Sequence, residues 1–447
     1  MLIYNNLKFI KLRGGCLLPV FKEYIQFLKD KTNNDKELDI LSEGYYWVDR
    51  QIIKVFDSKG NLHKLLKINI DKDLNMTIKP YKKPYTGEIE SWNQTYIRLK
   101  DHLDELEKES LALLTKNKNN DRIIIDTNST GKDSMVKTHI AKKAGLEFTT
   151  YFNVTTCDVK DSNMMAKTNG YEFIYPEKKL KGFYNYRKKD NIIPSRIGRF
   201  CCTLFKENPT INNFNPEDKL LFLFGMRNDE SSSRSGYEDI WVNEKWGKRR
   251  DWIGILPIRK WTDLDIWLYI LKEKIEINTK YKKGYSRVGC GIVCPNYGKS
   301  TWVLDQYWYP TMYKRWQRIL KEDFLLNFKW ISVHCTLNEY LQGAWTGGLL
   351  RPEPTKEVIE EFAEYKGVTY DIASKYFGKY CVNECKSKTG KLLKIKNKDT
   401  LAMNLKMFGR NIDKFMCKKC LMKELNIDED RWNEYIRNFK EFGCDLF

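Results

Sequence analysis

The sequence predicts an α/β protein with a doubly wound parallel sheet, preceded by a small N-terminal α+β module and followed by a C-terminal cysteine-rich module. Between about residues 121 and 275, apolar β-type runs alternate with segments of helical periodicity, which is typical of parallel sheets with helices packed on them. From about residue 331 this alternation stops and closely spaced cysteines appear. The expected strands are Ile123–Asp126, Phe148–Val154 and Leu220–Phe224, and the expected helices are Lys132–Ala144 and Asp263–Lys272.

Three domains are expected along the chain. Residues 1–95 form the N-terminal module, and residues 96–330 form the central α/β domain. A helix over 96–116 opens the central domain, because apolar residues recur there at helical spacing beside i,i+4 charge pairs. Residues 331–447 form a helical and metal-binding module, with two short helices expected within 353–380.

The N-terminal module carries a hairpin pattern. Two β-rich segments, Tyr45–Phe56 and Leu65–Ile78, are separated by the turn-forming residues Asp57–Asn61. Runs rich in β-branched and aromatic residues, bounded by Asp, Ser, Gly and Asn, predict strands joined by a turn.

Composition limits the classes of function. The 447-residue chain is 42% hydrophobic, enough for buried cores, and no run approaches the about 20 apolar residues of a membrane span. We expect no signal peptide, a cytoplasmic location and no membrane partner. The net charge of +19 is compatible with a nucleic-acid partner, since lysine and arginine displace counterions from phosphates. A general abundance of lysine along the whole chain explains the net charge equally well.

The segment after the first expected strand has the character of an anion-binding loop. Amide N–H groups at the start of a helix attract phosphate, and glycine permits the turn. The ATPase P-loop spacing is not met, because Asp126 stands at its first glycine position. An ordinary strand–turn–helix with a serine N-cap is the alternative. The residues predicted to bind phosphate are Ser129, Thr130, Gly131, Lys132, Asp133 and Ser134.

The spacing of the twelve cysteines indicates metal binding rather than disulfides, which are rare in cytoplasmic proteins. A C-x3-C and a C-x2-C pair near the C-terminus have the two-pair spacing of a structural zinc site. A second iron–sulfur cluster, or thiols in a small core, are the alternatives. Lysines between the two pairs favour contact with a phosphate backbone. The predicted zinc ligands are Cys381, Cys385, Cys417 and Cys420.

Four motifs in order resemble those of the phosphoadenosine phosphosulfate (PAPS) reductase family, within the PP-loop ATP pyrophosphatases. They cover about residues 121 to 297. The loop S-T-G-K-D-S resembles the pyrophosphate loop S-G-G-K-D-S, with Thr130 replacing one glycine. The other three resemblances are R-F-C-C-T-L-F-K-E-N-P at 199–209, G-M-R-N-D-E-S with Arg234 at 225–234, and P-I-R-K-W-T-D-L-D-I-W at 257–267.

The resemblance implies an adenine nucleotide α-hydrolase-like fold and adenine nucleotide chemistry. In adenylylating members the loop holds the β- and γ-phosphates, an acceptor attacks the α-phosphorus and pyrophosphate leaves. Lys132 and Mg²⁺ would neutralise the leaving group, and Arg227 and Arg234 suit phosphate or sulfate oxygens. Glu230 would orient Arg227 or hold Mg²⁺, or would simply be solvated. The predicted catalytic residues are Lys132, Asp133, Arg227, Glu230 and Arg234.

The resemblance also implies an iron–sulfur centre. Adjacent cysteines with a distant C-x2-C ligate a [4Fe–4S] cluster in the iron–sulfur assimilatory reductases, and four thiolates suit such a cluster. Here the distant pair is C-x3-C, so Cys335 is an alternative ligand, and zinc or structural thiols are alternative interpretations. The predicted ligands are Cys201, Cys202, Cys290 and Cys294.

Three hypotheses about function follow. The first is an ATP pyrophosphatase that adenylylates an acceptor for sulfur transfer, with nucleic acid as a candidate acceptor and a cysteine desulfurase as a candidate sulfur donor. It resembles the sulfur-incorporating ATPase of DNA phosphorothioation systems. The second is a reductase that binds PAPS or APS instead of ATP and forms sulfite, with Cys444 as nucleophile. The third is a non-catalytic nucleic-acid-binding protein that keeps the fold.

Overall fold

A computed structural model describes most of the chain outside the C-terminal third. The described residues are 17–32, 35–118, 121–190, 192–196, 198–230, 234, 236–242, 250–327, 331–332, 335–346, 360, 364, 381, 383, 385–386, 393, 395, 397–408 and 415–441. The candidate nucleophile Cys444, the motif residue Ser231 and most of the helices expected within 353–380 lie outside them. In the described part of the chain, no helix has the length and apolar composition needed to cross a bilayer.

Eleven strands are described in chain order. They are β1 Leu17–Pro19, β2 Trp47–Asp49, β3 Ile52–Phe56, β4 Leu62–Ile70, β5 Met76–Pro80, β6 Ile123–Thr127, β7 Thr149–Asn153, β8 Glu172–Ile174, β9 Leu220–Leu223, β10 Ile240–Trp241 and β11 Trp252–Ile255.

The described helices are numbered in the same way. They are α1 Lys22–Thr32, α2 Asp35–Leu38, α3 Trp92–Lys116, α4 Lys132–Lys143, α5 Lys160–Thr168, α6 Phe183–Asp190, α7 Phe200–Cys202, α8 Asn208–Asn213, α9 Asp263–Glu273, α10 Thr279–Lys282, α11 Lys299–Trp308, α12 Pro310–Leu326, α13 Leu337–Leu341, α14 Lys398–Phe408, α15 Lys418–Glu424 and α16 Glu429–Glu441.

The chain divides into two compact units. The first comprises Met1–Glu177 and Phe205–Gly291, and the second comprises Lys178–Leu204 and Ile292–Phe447. The three-domain division expected from the sequence stays a prediction.

The first unit contains the predicted parallel sheet. Its strand order is β10-β11-β9-β6-β7-β8, and every pair is parallel except β10 with β11. The chain starts in the middle at β6, moves outward to β7 and β8, and then returns to the other side of β6 as β9. This is the doubly wound order that the sequence predicts. Ligands in such sheets bind beyond the carboxyl ends of the strands where the direction of winding reverses, here beside β6 and β9.

Continuous apolar runs explain why these strands are central. Ile125, Leu220, Phe222 and Trp252 form one buried cluster, and all four residues of β9 are buried. Strands covered on both faces need apolar residues at consecutive positions.

The N-terminal part of the first unit is a five-stranded sheet in the order β1-β2-β3-β4-β5, in which all pairs are antiparallel. The two β-rich segments of the prediction form four strands. Each is divided by a turn in which one residue has positive φ, Arg50 at 58° and Leu74 at 65°. The predicted turn between them is confirmed, because the Asp57 carboxylate accepts from the amides of Lys59 and Asn61.

The second unit is helical in its described part. Phe183, Trp316 and Trp345 pack near the start of α6, with Phe183 to Trp316 and Trp316 to Trp345 ring centroids 6.3 and 5.4 Å apart. Farther along the chain, α14, α15 and α16 enclose a small core of Met403, Leu421, Trp432 and Ile436.

Candidate functional site

The loop between β6 and α4 is held in an unusual backbone conformation. Thr130 is fully buried and has φ of 59°, a left-handed value that is costly for a β-branched residue. Asn128 stabilises this turn, because its Oδ1 accepts from the Thr130 amide at 2.8 Å and its Nδ2 donates to Thr138 Oγ1 at 2.8 Å. The turn is therefore fixed from inside by one asparagine.

A second segment supports the loop from the far side. Asn278 Nδ2 donates to Thr130 Oγ1 at 2.9 Å, and the Tyr281 hydroxyl accepts from the Lys132 amide at 2.9 Å. Gly131 occupies the N-cap position and no side chain caps α4, so the serine N-cap of the alternative interpretation is not formed. Tyr281 occupies the Lys132 amide, and the N-cap residue itself offers no side chain that would compete with an anion for the following amides.

Four charged side chains meet at the start of α4. Lys132 Nζ lies 2.8 Å from Asp133 Oδ2 and 2.9 Å from Asp263 Oδ1. Arg227 Nε lies 2.6 Å from Asp133 Oδ1, and its Nη2 contacts Asp263 Oδ1. Each carboxylate therefore binds both cations, and the cluster carries no net charge.

Burial and pairing act against each other on these groups. Burial disfavours the charged form of Lys132, but the carboxylates of Asp133 and Asp263 outweigh it and raise the lysine pKa. In the same way burial is outweighed at Arg227, whose pKa is raised by the same two carboxylates. Burial would raise the pKa of Asp133, but Lys132 and Arg227 lower it. All three groups stay ionised near neutral pH.

The segment after β9 packs directly against this cluster. A side-chain carbon at Gly225 would lie 3.0 Å from the Asp133 carbonyl, so only glycine fits there without displacement. Glu230 Oε2 accepts from the Arg227 amide at 3.2 Å and forms an ion pair with Arg234. Glu230 therefore contacts the Arg227 backbone and the Arg234 side chain, and its role in the site stays a prediction.

A cavity of about 330 Å³ opens beside the loop, at the carboxyl ends of β6, β7 and β9. Two loop hydroxyls line it, and their oxygens lie 3.2 Å apart. Burial raises the pKa of the Asp158 carboxyl at its wall, with Lys206 opposing the shift. The polar lining residues are Asn128, Ser129, Ser134, Asn153, Asp158, Ser162, Lys206 and Arg287.

Comparison with known proteins covers the part of the chain that contains this site. The domain family described as "Phosphoadenosine phosphosulfate reductase domain" matches residues 123–296. Sulfate adenylyltransferase subunit 2 of Buchnera aphidicola is 30% identical over 213 residues, which cover 40% of this chain and 67% of that protein. The chain belongs to the PAPS reductase family.

Two further proteins are similar to parts of this chain. An uncharacterized protein of Methanocaldococcus jannaschii is 28% identical over 315 residues, covering 67% of this chain and 72% of that protein. A solved structure of PAPS reductase from Candida auris, a phosphate complex, has 17% identity and a TM-score of 0.32, covering 42% of this chain and 94% of that one.

Sequence reasoning missed several residues of this PAPS reductase-family site. Asp263 lies within the quoted motif at 257–267, where it received no role. Thr262 and Asp265 on either side of it form a capping box at the start of α9. Lys206 lies within the quoted cysteine motif, where it received no role. Asn278 and Tyr281 carry no sequence signal that distinguishes them from ordinary polar and aromatic residues.

The C-terminal cysteines converge as predicted. One ligand atom from each of Cys381, Cys385, Cys417 and Cys420 lies within 4.8 Å of every other. Burial disfavours ionisation of Cys381, but backbone hydrogen bonds from Cys417 and Asn383 outweigh it and lower its pKa to about 7. A tetrahedral zinc with Zn–S bonds of about 2.3 Å places its sulfurs about 3.8 Å apart. The four thiols therefore suit a single metal ion.

The other cysteine set is distributed over both units. Cys201, Cys202 and Cys294 belong to the second unit, and Cys290 belongs to the first. Cys157, which the sequence presented as a lone cysteine, hydrogen-bonds with Cys290, and this bond and burial raise its pKa. Cys201, Cys290 and Cys294 are buried thiols and Cys202 is half-buried, a donor type that suits an iron–sulfur cluster. That cluster stays a prediction.

Proposed function

We propose that the protein binds ATP at the β6–α4 loop and transfers its adenylyl group to an acceptor with release of pyrophosphate. The cluster of Lys132, Asp133, Arg227 and Asp263 carries the proposal. It places two permanently charged cations at the start of a 12-residue helix, where the helix dipole also attracts anions. The hydroxyls of Ser129 and Ser134 would add donors to the phosphates.

The neutral cluster would hold both cations in position before the nucleotide binds. Without nucleotide, each carboxylate holds both cations in place. Pyrophosphate oxygens would compete with the carboxylates for Lys132 and Arg227 as negative charge develops on the leaving group. Cations fixed beforehand stabilise that charge without reorganisation, which is the basis of electrostatic catalysis.

The identity of the nucleotide is inferred from the Lys132–Asp133 pair and from one relative. A relative is named sulfate adenylyltransferase subunit 2, and adenylyl transfer to an oxyanion is the reaction proposed here. Mg²⁺ would be held by the nucleotide phosphates with Asp229, whose carboxylate lies 3.9 Å from Arg227 Nη1. It would supply further charge neutralisation. The volume of the cavity beside the loop, about 330 Å³, is near the lower limit of the volumes of small-molecule sites.

Sulfur transfer completes the proposal. The terminal sulfur of a donor-protein persulfide, such as that of a cysteine desulfurase, would attack the adenylylated acceptor and displace AMP. A second thiol would then reduce the resulting disulfide and release the thiolated acceptor, and a nucleic acid is the proposed acceptor. An iron–sulfur cluster of the kind expected from the sequence would supply redox or sulfur-binding chemistry.

An assay of pyrophosphate release from ATP tests the proposal. Lys132→Ala should abolish release while leaving the fold intact, and Lys108→Ala on the exposed face of α3 is the control. Release that is unchanged in Lys132→Ala would contradict the assignment.

A second assay distinguishes the reductase alternative from the ATP proposal. Sulfite formation from PAPS with thioredoxin, lost in Cys444→Ser, would replace the ATP proposal by that alternative.

A further inference from the structure

Lysines without acidic partners are concentrated at one edge of the N-terminal sheet. Lys67 in β4 lies directly opposite Lys79 in the edge strand β5. Lys64 in β4 and Lys82 and Lys83 just after β5 complete the group, which we call the lysine edge, and all five side chains are exposed. Within the described residues, none of the five forms an ion pair. Exposed Lys100, Lys219 and Lys260 in the same unit each pair with a carboxylate.

The lysine edge is electrostatically unfavourable in the isolated protein. Like charges directly opposite on neighbouring strands destabilise a sheet. The phenol of Tyr81 reports the local potential, because its hydroxyl accepts from Lys64 Nζ at 3.1 Å. That hydrogen bond, with the charges of Lys64, Lys67 and Lys82, lowers the pKa of Tyr81. The repulsion between these lysines decreases when an anion with several charges binds to the surface.

The lysine edge belongs to the same compact unit as the nucleotide loop. Helix α1 of the N-terminal part contacts α10, and a side-chain carbon at Gly284 would lie 2.2 Å from the Tyr24 ring. The α10 segment carries Tyr281, which supports the loop at Lys132. A ligand on the N-terminal sheet is thus bound to the same compact unit that contains the proposed active site.

We propose that the lysine edge binds the sugar–phosphate backbone of a nucleic acid. The lysines follow β4 and β5 over about 10 Å, at about 3.3 Å per residue from Lys64 to Lys67, so that several phosphates can be contacted together. Ammonium groups bind phosphates without base specificity and with strong dependence on salt. The inference rests on the proposed function only in making the bound nucleic acid the acceptor, since binding itself requires no ATP.

Fluorescence anisotropy with a labelled RNA duplex and a labelled single-stranded DNA, without nucleotide, tests the inference. Lys64→Gln/Lys67→Gln/Lys79→Gln should weaken binding of at least one probe by about tenfold or more at low salt. It should also reduce the salt dependence by about two to three counterions. The control Lys100→Gln/Lys219→Gln/Lys260→Gln removes the same charge and should keep the wild-type affinity. The probe that binds more tightly identifies the kind of nucleic acid.

Further variants distinguish a loss of nucleic-acid binding from a loss of folding or of the proposed ATP reaction. The glutamine triple variant should unfold at the wild-type temperature or higher, because the repulsion between Lys67 and Lys79 is removed. The arginine triple variant at the same positions should retain binding. Lys132→Ala should bind nucleic acid normally, so a failure of the ATP proposal leaves this one intact. Wild-type protein that binds neither probe, or equal losses in the two glutamine triple variants, would overturn it.

Discussion

Lys132 Nζ and Asp263 Oδ1 lie 2.9 Å apart at the start of α4. Asp263 belongs to α9, which follows the last strand of the parallel sheet in the sequence. Asp263 also contacts Arg227. One carboxylate therefore positions both cations that are proposed to act on the nucleotide phosphates, and it is buried.

Asp263→Asn should slow pyrophosphate release by about tenfold or more without weakening ATP binding. The amide keeps the shape but no longer holds Lys132 and Arg227 by charge, so the two cations lose orientation while their attraction for phosphate remains. Steady-state kinetics should show a lower kcat with KM unchanged or reduced. Asp101→Asn, at an exposed position of α3, is the matched control. A variant with normal kcat and a raised KM would contradict the positioning role.

Asp126 and Lys137 form a fully buried ion pair directly behind the loop. Lys137 also donates to the carbonyl of Thr127 at 2.9 Å, and Asp126 accepts from Thr138 at 2.7 Å. Removing one member leaves an unpaired buried charge, which costs about 3–5 kcal/mol. We expect Asp126→Asn and Lys137→Met each to lower the free energy of unfolding by about this amount in urea denaturation. The double variant should lose less than the sum, and simple additivity would show that the pair is not coupled.

His102 on α3 pairs with Asp265 on α9 across 3.2 Å. The hydrogen bond that His102 donates to Asp265 raises the pKa of His102, although burial opposes it. A raised folded-state pKa stabilises the protein fully below the unfolded value of about 6.5, and the stabilisation is lost as pH rises through the folded value.

Thermal unfolding at pH 6 and at pH 8.5 should therefore show a loss of stability with rising pH that His102→Gln reduces. Asp101→Asn should keep the wild-type dependence, because Asp101 is exposed on α3 and is not a member of the His102–Asp265 pair. An identical pH dependence in His102→Gln and wild type would exclude this pair as its source.

The C-terminal thiols should bind one zinc per chain. Cys417→Ser should release it and lower the unfolding temperature, because metal binding contributes directly to folding in small metal-bound modules. Elemental analysis of protein purified under reducing conditions measures the zinc. Cys335→Ser, which removes a buried cysteine outside the four-sulfur group, should keep it. Wild-type protein free of zinc after growth in zinc-containing medium would refute the site.

Local signals explain which parts of the fold were predictable. Strands β6, β7 and β9 and helices α4 and α9 follow from consecutive apolar residues and helical periodicity, and each of their ends differs from the predicted one by one residue or less. Strands β8 and β11 were not predicted. The N-terminal segments were expected as two strands but form four, because a turn interrupts each of them. These turns place Arg50 and Leu74 at positive φ, and no glycine marks either position in the sequence. Short-range patterns do not show such turns.

The sequence alone determined the fold class, the loop at Ser129–Ser134 and the close C-terminal cysteines, since each depends on residues near one another in the chain. Tertiary structure alone decided that Asp263, Asn278 and Tyr281 support that loop and that Cys157 contacts Cys290. These contacts join segments distant in sequence, and their energies depend on burial and on distances of about 3 Å that only chain folding creates.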